Sequence, residues 1–149
     1  MTTRPDQAVS TIMSWPVATI EHQATLAEAA EALTADTIGA LLVLHEGGLV
    51  GVLSERDVVV HVAAGANLSH LLVEEVMATD IVTVQSDATI VEAARTMVES
   101  EVRHLPVMHD NLIAGVVSIR DVVAVLAAGA SDDDVLVVPS GTRVLVVSG

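Results

Sequence analysis

The sequence predicts an α+β protein made of two tandem β-α-β-β-α repeats packed with pseudo-twofold symmetry. Three observations carry this. An offset of 64 residues aligns residues 9–66 with 73–130 without a gap, and about 22 of the 58 positions are identical, well above what a biased composition produces by chance. Within each copy, short β-branched runs alternate with stretches whose apolar residues recur at helical spacing. Each copy also holds two apolar runs separated by a short polar turn, the pattern of a hairpin.

The first strand of each repeat is expected over Val17–Ile20 and Ile81–Val84. A helix comes after each, because Thr25-Leu-Ala-Glu28 and Thr89-Ile-Val-Glu92 are capping boxes. Leu26, Ala29, Ala30 and Leu33, like Ile90, Ala93, Ala94 and Met97, give those helices an apolar face. Hairpins come next: Ala40–Leu44 with Leu49–Leu53 around His45-Glu-Gly-Gly48, and Leu105–Met108 with Ile113–Val117 around His109-Asp-Asn111. A second helix opens near Ser54 or Ser118 and stops at Gly65 or Gly129, which supply a left-handed C′ residue. Residues 1–8 are expected as a flexible amino-terminal arm, 9–66 as repeat one, 73–130 as repeat two, and 131–149 as a carboxyl tail whose two Val-rich runs suit a hairpin. A repeat of this size buries only ~60% of its unfolded surface, so the two are expected to fold against each other.

The 149 residues, 52% apolar and 17% charged, exclude both a disordered chain and a large multidomain enzyme. No apolar run reaches the ~20 residues of a membrane span and the amino terminus lacks a signal-peptide core, so a cytoplasmic protein with no membrane contact is expected. A net charge of −14, with six Arg and no Lys, argues against nucleic acid, whose affinity for proteins rests on neutralised phosphates. The absence of Cys excludes thiol nucleophiles and Cys-ligated metals. Six His show no metal-ligand spacing, and no nucleophile–base order or P-loop is present, so neither a metal site nor an enzyme is expected.

The densest identity between the repeats is Gly51-Val-Leu-Ser54-Glu-Arg56-Asp57 with Gly115-Val-Val-Ser118-Ile-Arg120-Asp121. Ser-x-x-Asp at a helix start is a capping box in its own right. Its recurrence behind a strand glycine, where a close backbone approach is common, also suits a ligand: the carboxylate accepts both hydroxyls of a ribose diol and free amide N–H groups attract anionic oxygens. Arg56 and Arg120 oppose the positive end of the helix dipole, which calls for an acidic neighbour or a phosphate. Arg103 and His104 precede a strand where repeat one has Gly39-Ala40, so an anion site there is one-sided.

These motifs, together with Met-x-x-x-(Ile/Val)-x-Thr-(Ile/Val), Thr-(Leu/Ile)-x-Glu-Ala-Ala and Val102-Arg-His-Leu-Pro-Val107, resemble a pair of CBS domains, the Bateman module, over residues 9 to 130. The resemblance implies two composite clefts for adenosine-containing ligands (AMP, ADP, ATP or S-adenosylmethionine) and no catalysis or catalytic cofactor. To one cleft it assigns Ser118, Asp121 and Val116 with Ser14, Val17, Ala18, Ile38 and Gly39. To the other it assigns Ser54, Asp57 and Val52 with Ala78, Ile81, Val82, Val102 and Arg103. In it the Asp holds the ribose, the Ser and basic residues face phosphate, and apolar side chains sandwich the base. Repeat one departs from the pattern: Leu41-Leu42-Val43 lacks the Pro of Leu105-Pro106-Val107, and Trp15 stands near a cleft entrance.

Three functions compete on this reading. A regulatory module binding an adenosine nucleotide or nucleoside is expected to prefer AMP or S-adenosylmethionine over ATP, because few Arg and an acidic surface oppose a tetra-anion. A structural, partner-binding module with empty clefts is the alternative, and a metal-responsive module using the His residues is the third. A homodimer serves the first two, and the regulated protein is unknown.

Overall fold

A computed structural model describes residues 3–35, 39–128, 135–137 and 143–145. The chain divides into two compact units, one formed by Pro16–Val82 and the other by Met1–Trp15 together with Thr83–Gly149.

In the Pro16–Val82 unit, β1 (Thr19–Glu21) pairs parallel with β2 (Ala40–His45), which pairs antiparallel with β3 (Gly48–Ser54). Helix α1 (Leu26–Ala35) comes after β1, α2 (Glu55–Ala63) after β3, and α3 (Val73–Val76) closes the unit. The expected capping box opens α1: Glu28 N–H donates to Thr25 Oγ1 at 3.1 Å and Thr25 N–H to Glu28 Oε2 at 3.2 Å. The β2–β3 turn puts Glu46 and Gly47 at φ 51° and 78°, the two positive values of a type I′ turn, whose twist suits a hairpin. Ala64 caps α2 and Gly65 succeeds it at φ 78°, as the sequence predicts. Leu26, Ala29 and Leu33 of α1 pack with Leu41, Val43, Leu53, Val58 and Val73 to form the core. Each large side chain buried there contributes about 1.5–3 kcal/mol.

The other unit repeats this plan. Strand β4 (Val84–Gln85) is parallel to β5 (His104–His109), which is antiparallel to β6 (Leu112–Ser118), with helices α4 (Ile90–Ser100) and α5 (Ile119–Ala128). Thr89 caps α4 through a reciprocal box with Glu92, and Ile90, Ala93 and Met97 are buried along with Leu105, Val107, Val117 and Val122. The expected C′ residue of α5, Gly129, lies outside the described residues. Short strands β7 (Val135–Val137) and β8 (Arg143–Leu145) pair antiparallel in the tail.

Three features differ from expectation. The first strands begin later than Val17 and Ile81, because pairing starts where β2 and β5 reach them. Strand β4 is a residue shorter than β1, and Pro106 explains it: the corresponding Leu42 donates its N–H to Ala18 O at 3.0 Å, whereas proline has none to give. Residues 5–8, expected as a loose arm, are tied down. Pro5 O accepts from Val91 N–H at 3.1 Å and Gln7 O from Ile90 N–H at 3.0 Å, so both carbonyls satisfy orphan donors of α4, while Ala8 bridges Thr89. In the Pro16–Val82 unit, Leu71 O and Leu68 O serve Leu26 and Ala27 in the same way.

The repeats of the sequence are therefore not the units of the structure. A single 3₁₀ turn at Val9–Thr11 and the segment to Ser14 pack on β6, while α3 and Ala78 pack on β3. Each unit is completed by the segment that opens the other repeat. Among the described residues no helix is long and apolar enough to cross a membrane.

Candidate functional site

The doubled Ser–Asp turn sits where a strand delivers its last residue to a helix. In the Pro16–Val82 unit, Ser54 ends β3 in extended geometry and caps α2. Its N–H donates to Asp57 Oδ2 at 2.8 Å, its hydroxyl donates to the same oxygen at 2.9 Å, and Ser54 Oγ accepts from Asp57 N–H at 3.3 Å. In the other unit Ser118 N–H donates to Asp121 Oδ2 at 2.9 Å and Asp121 N–H to Ser118 Oγ at 3.1 Å. Capping is thus realised in both turns, and such a cap contributes about 1 kcal/mol. It commits one carboxylate oxygen. Oδ1 of each half-buried Asp has no hydrogen-bond partner among the described residues and remains an acceptor beside helix N–H groups.

The strand glycines do mark a close approach, and the protein itself makes it. A Cβ on Gly115 would meet Met13 Sδ at 2.7 Å and Ser14 O at 2.8 Å, and one on Gly51 would meet the Met77 thioether and Ala78 O. Methionine and backbone fill the place against these glycines. Their approach is locked by a short antiparallel bridge in each unit. Ser14 N–H donates to Val116 O at 2.8 Å and Ser14 O accepts from Val116 N–H at 3.1 Å, while Ala78 exchanges the equivalent pair with Val52 at 2.9 and 3.0 Å.

Around each turn lie some of the residues assigned to it and one assigned to the other cleft, Gly39 beside Ser54 and Arg103 beside Ser118. With Ser54 and Asp57 lie Val52, Ala78 and the backbone of Gly39, whose carbonyl accepts from Glu55 N–H at 3.0 Å. With Ser118 and Asp121 lie Val116, Ser14, Arg103, whose carbonyl accepts from Ile119 N–H at 2.8 Å, and His104, which is opposite Ser118 in the ladder. Val17, Ala18, Ile81 and Val82 fall in the Pro16–Val82 unit and are half-buried, as is Val102 in the other. Ile38 lies outside the described residues. Arg56, Arg120 and Arg103 are exposed, and no ion pair holds any of them among the described residues. Glu55, Asp57 and Asp121 share the first turns of α2 and α5 with Arg56 and Arg120, but none of them is ion-paired with either Arg among the described residues.

One feature escaped the sequence. Asp121 lines an open groove of about 350 Å³ with Thr3, Ile12, Ala124, Val125 and Ala128. The helical spacing of 121, 124, 125 and 128 was legible; the part played by Thr3 and Ile12 was not. In α2 the corresponding positions are Asp57, Val60, His61 and Ala64, and the His61 ring sits with Nδ1 2.8 Å from Asp57 O. No group of three or more metal-ligating side chains is arranged to hold an ion among the described residues.

The turn, its bridge and its helix occur twice, and so do the matches to known proteins. The family model of the CBS domain matches residues 9–64 and again 73–128. The CBS domain-containing protein YhcV of Bacillus subtilis (strain 168) is 30% identical over 114 residues, covering 76% of this chain and 81% of that protein. A CBS-domain protein from Burkholderia ambifaria MC40-6 superposes with a TM-score of 0.77 at 26% identity, over 83% of this chain and 96% of its own. The CBS domain pair of protein MJ0100, solved with 5′-methylthioadenosine and S-adenosyl-L-methionine, gives a TM-score of 0.75 at 26% identity, over 85% of this chain and all 100% of its own. Two matched copies spanning most of the sequence, on a fold these structures share, make this chain a member of the CBS domain family.

Proposed function

We propose that this chain is a non-catalytic regulatory module of the cytoplasm that binds adenosine-containing ligands at its Ser–Asp turns, AMP or S-adenosylmethionine in preference to ATP. One observation carries the reading. Among the described residues both turns leave Oδ1 of the Asp open beside helix N–H groups, with an Arg that forms no ion pair in the same helical turn. A carboxylate so placed accepts a vicinal diol, and the cation beside it favours an anionic or polar 5′ substituent. The adenosine compounds held by the MJ0100 pair support the same ligand class. The chain's −14 charge weighs against ATP. Charge-assisted hydrogen bonds of about 1.5–3 kcal/mol each, together with burial of the base, are sufficient for a micromolar ligand.

Thermal unfolding with AMP, S-adenosylmethionine and ATP tests this. At about 100 times its dissociation constant a ligand adds ~2.7 kcal/mol, which raises Tm by about 8 °C for a chain of this size. Asp57→Asn and Asp121→Asn retain an acceptor for the cap and remove the charge, so the shift should shrink while the unliganded Tm holds. No shift with any of the three compounds, or a larger shift with ATP than with the others, would contradict the proposal.

A second reading rests on α2. Val59, Val60 and Val62 are 62%, 53% and 55% exposed, an apolar face that suits a homodimer with or without a ligand. Sedimentation of the protein with and without AMP separates assembly from ligand binding.

A further inference from the structure

We infer that strand β8 is an open sheet edge that pairs antiparallel with β8 of a second copy of this chain, joining two tail hairpins into one four-stranded sheet. The inference stands apart from the adenosine reading and from the α2 face. Among the described residues the long edges of the other sheets are already occupied: Val52 of β3 bridges Ala78, and Val116 of β6 bridges Ser14. Their opposite edges, β1 and β4, are three and two residues long and end at Glu21 and Gln85. Among the described residues β7 and β8 pair only with each other, in the register Val135↔Leu145, Leu136↔Val144 and Val137↔Arg143. A hairpin alone is marginal in water, and a third or fourth strand is what gives such a ribbon stability of its own.

The two strands differ in how their edges are guarded. Asp132-Asp-Asp134 stands directly before β7 and Pro139 two residues after it, and charges and proline are what keep an edge strand from pairing. Strand β8 has one charge, Arg143 at its start, and Val144-Leu145 is continued in sequence by Val146-Val147. That run lacks the alternation of a strand with one face in water. Residues 135–149 contain no Asp or Glu, so two chains of net charge −14 meet here with least repulsion. Charge also selects the antiparallel arrangement. Because Val135 is opposite Leu145, the second copy's Arg143 arrives at the end of the sheet where β7 begins, directly after the Asp run. A parallel pair would instead set Arg143 beside Arg143. The twofold pairing closes at two chains, and both outer edges of the new sheet are then β7, the guarded strand.

The chain has no Cys, so a single one introduced into the full chain reports without background. Arg143→Cys, Val144→Cys, Leu145→Cys, Val146→Cys and Val147→Cys, each made singly, should be compared under copper–phenanthroline oxidation. Disulfide-linked dimer should peak at one or two neighbouring positions, because only residues next to a twofold axis meet their own copies. Val135→Cys and Val137→Cys should not cross-link: the β7 strands would lie three strand spacings, ~14 Å, apart, and a disulfide requires Cα atoms within about 7 Å. Val144→Lys should halve the mass measured by sedimentation, although it lowers the negative charge and so favours association in general. Absence of cross-linking throughout β8, whether or not Val60→Cys on α2 cross-links, overturns the pairing. So does cross-linking in β7 as fast as in β8, or a Val144→Lys protein of unchanged mass.

Discussion

A methyl group added at Gly115 would lie 2.8 Å from Ser14 O and 2.9 Å from Met13 Cγ, inside the contact distances that real side chains adopt. At Gly51 the hard contact with Ala78 O is looser, 3.1 Å, and the closest atoms belong to the flexible thioether of Met77. We expect Gly115→Ala to destabilise the protein by about 2–3 kcal/mol and Gly51→Ala by about 1 kcal/mol, the difference being backbone against a side chain that swings aside. Urea unfolding of the two variants checks the order; equal losses would mean that Ser14 moves as freely as Met77. The sequence marks both glycines as points of close approach, since a strand interior otherwise disfavours glycine. It does not say what approaches. The shape of a methionine side chain folded back from a distant segment is a tertiary fact, and no local pattern encodes it.

Elements read most clearly where their signal is local. The capping boxes at Thr25 and Thr89, the left-handed Gly65 and both hairpin turns are spelled out within a few residues, and the structure places them accordingly. The first strands are less legible, because Val17 and Ile81 are apolar enough for a strand while pairing depends on β2 and β5, some twenty residues away. The four residues of α3 are too few to show a period. The amino-terminal arm misled for a different reason: its composition is that of a loose end, but its worth lies in two backbone carbonyls. Deleting residues 1–8 should leave Ile90 and Val91 N–H without acceptors and cost about 2 kcal/mol, seen as a lower urea midpoint. A deletion that leaves the midpoint unchanged would show that water replaces Pro5 and Gln7 without loss.

Over the whole molecule, 20 acidic residues face six Arg, and the described residues hold ion pairs only at Arg4–Asp6 (3.3 Å) and His22–Glu74 (2.6 Å). Among the described residues self-repulsion is therefore largely unrelieved. Raising NaCl from 10 mM to about 150 mM shortens the screening length from ~30 Å to ~8 Å, and Tm should rise without any specific ion. A fall in Tm over that range would indicate favourable pairs that screening weakens. Duplication was the most legible property of the chain, and the partition into units the least. The identity between repeats shows where each copy starts but not that 73–82 folds with the preceding copy and 3–15 with the following one. That partition has a consequence for synthesis. The stretch from Pro16 to Val82 leaves the ribosome as one block and can close early, whereas Val9, Ile12 and Met13, translated before it, wait uncovered until β6 arrives. A segment made before the Pro16–Val82 block thus finds its place after it, and a chaperone scanning the nascent chain would meet an apolar target at Val9–Met13 throughout that interval.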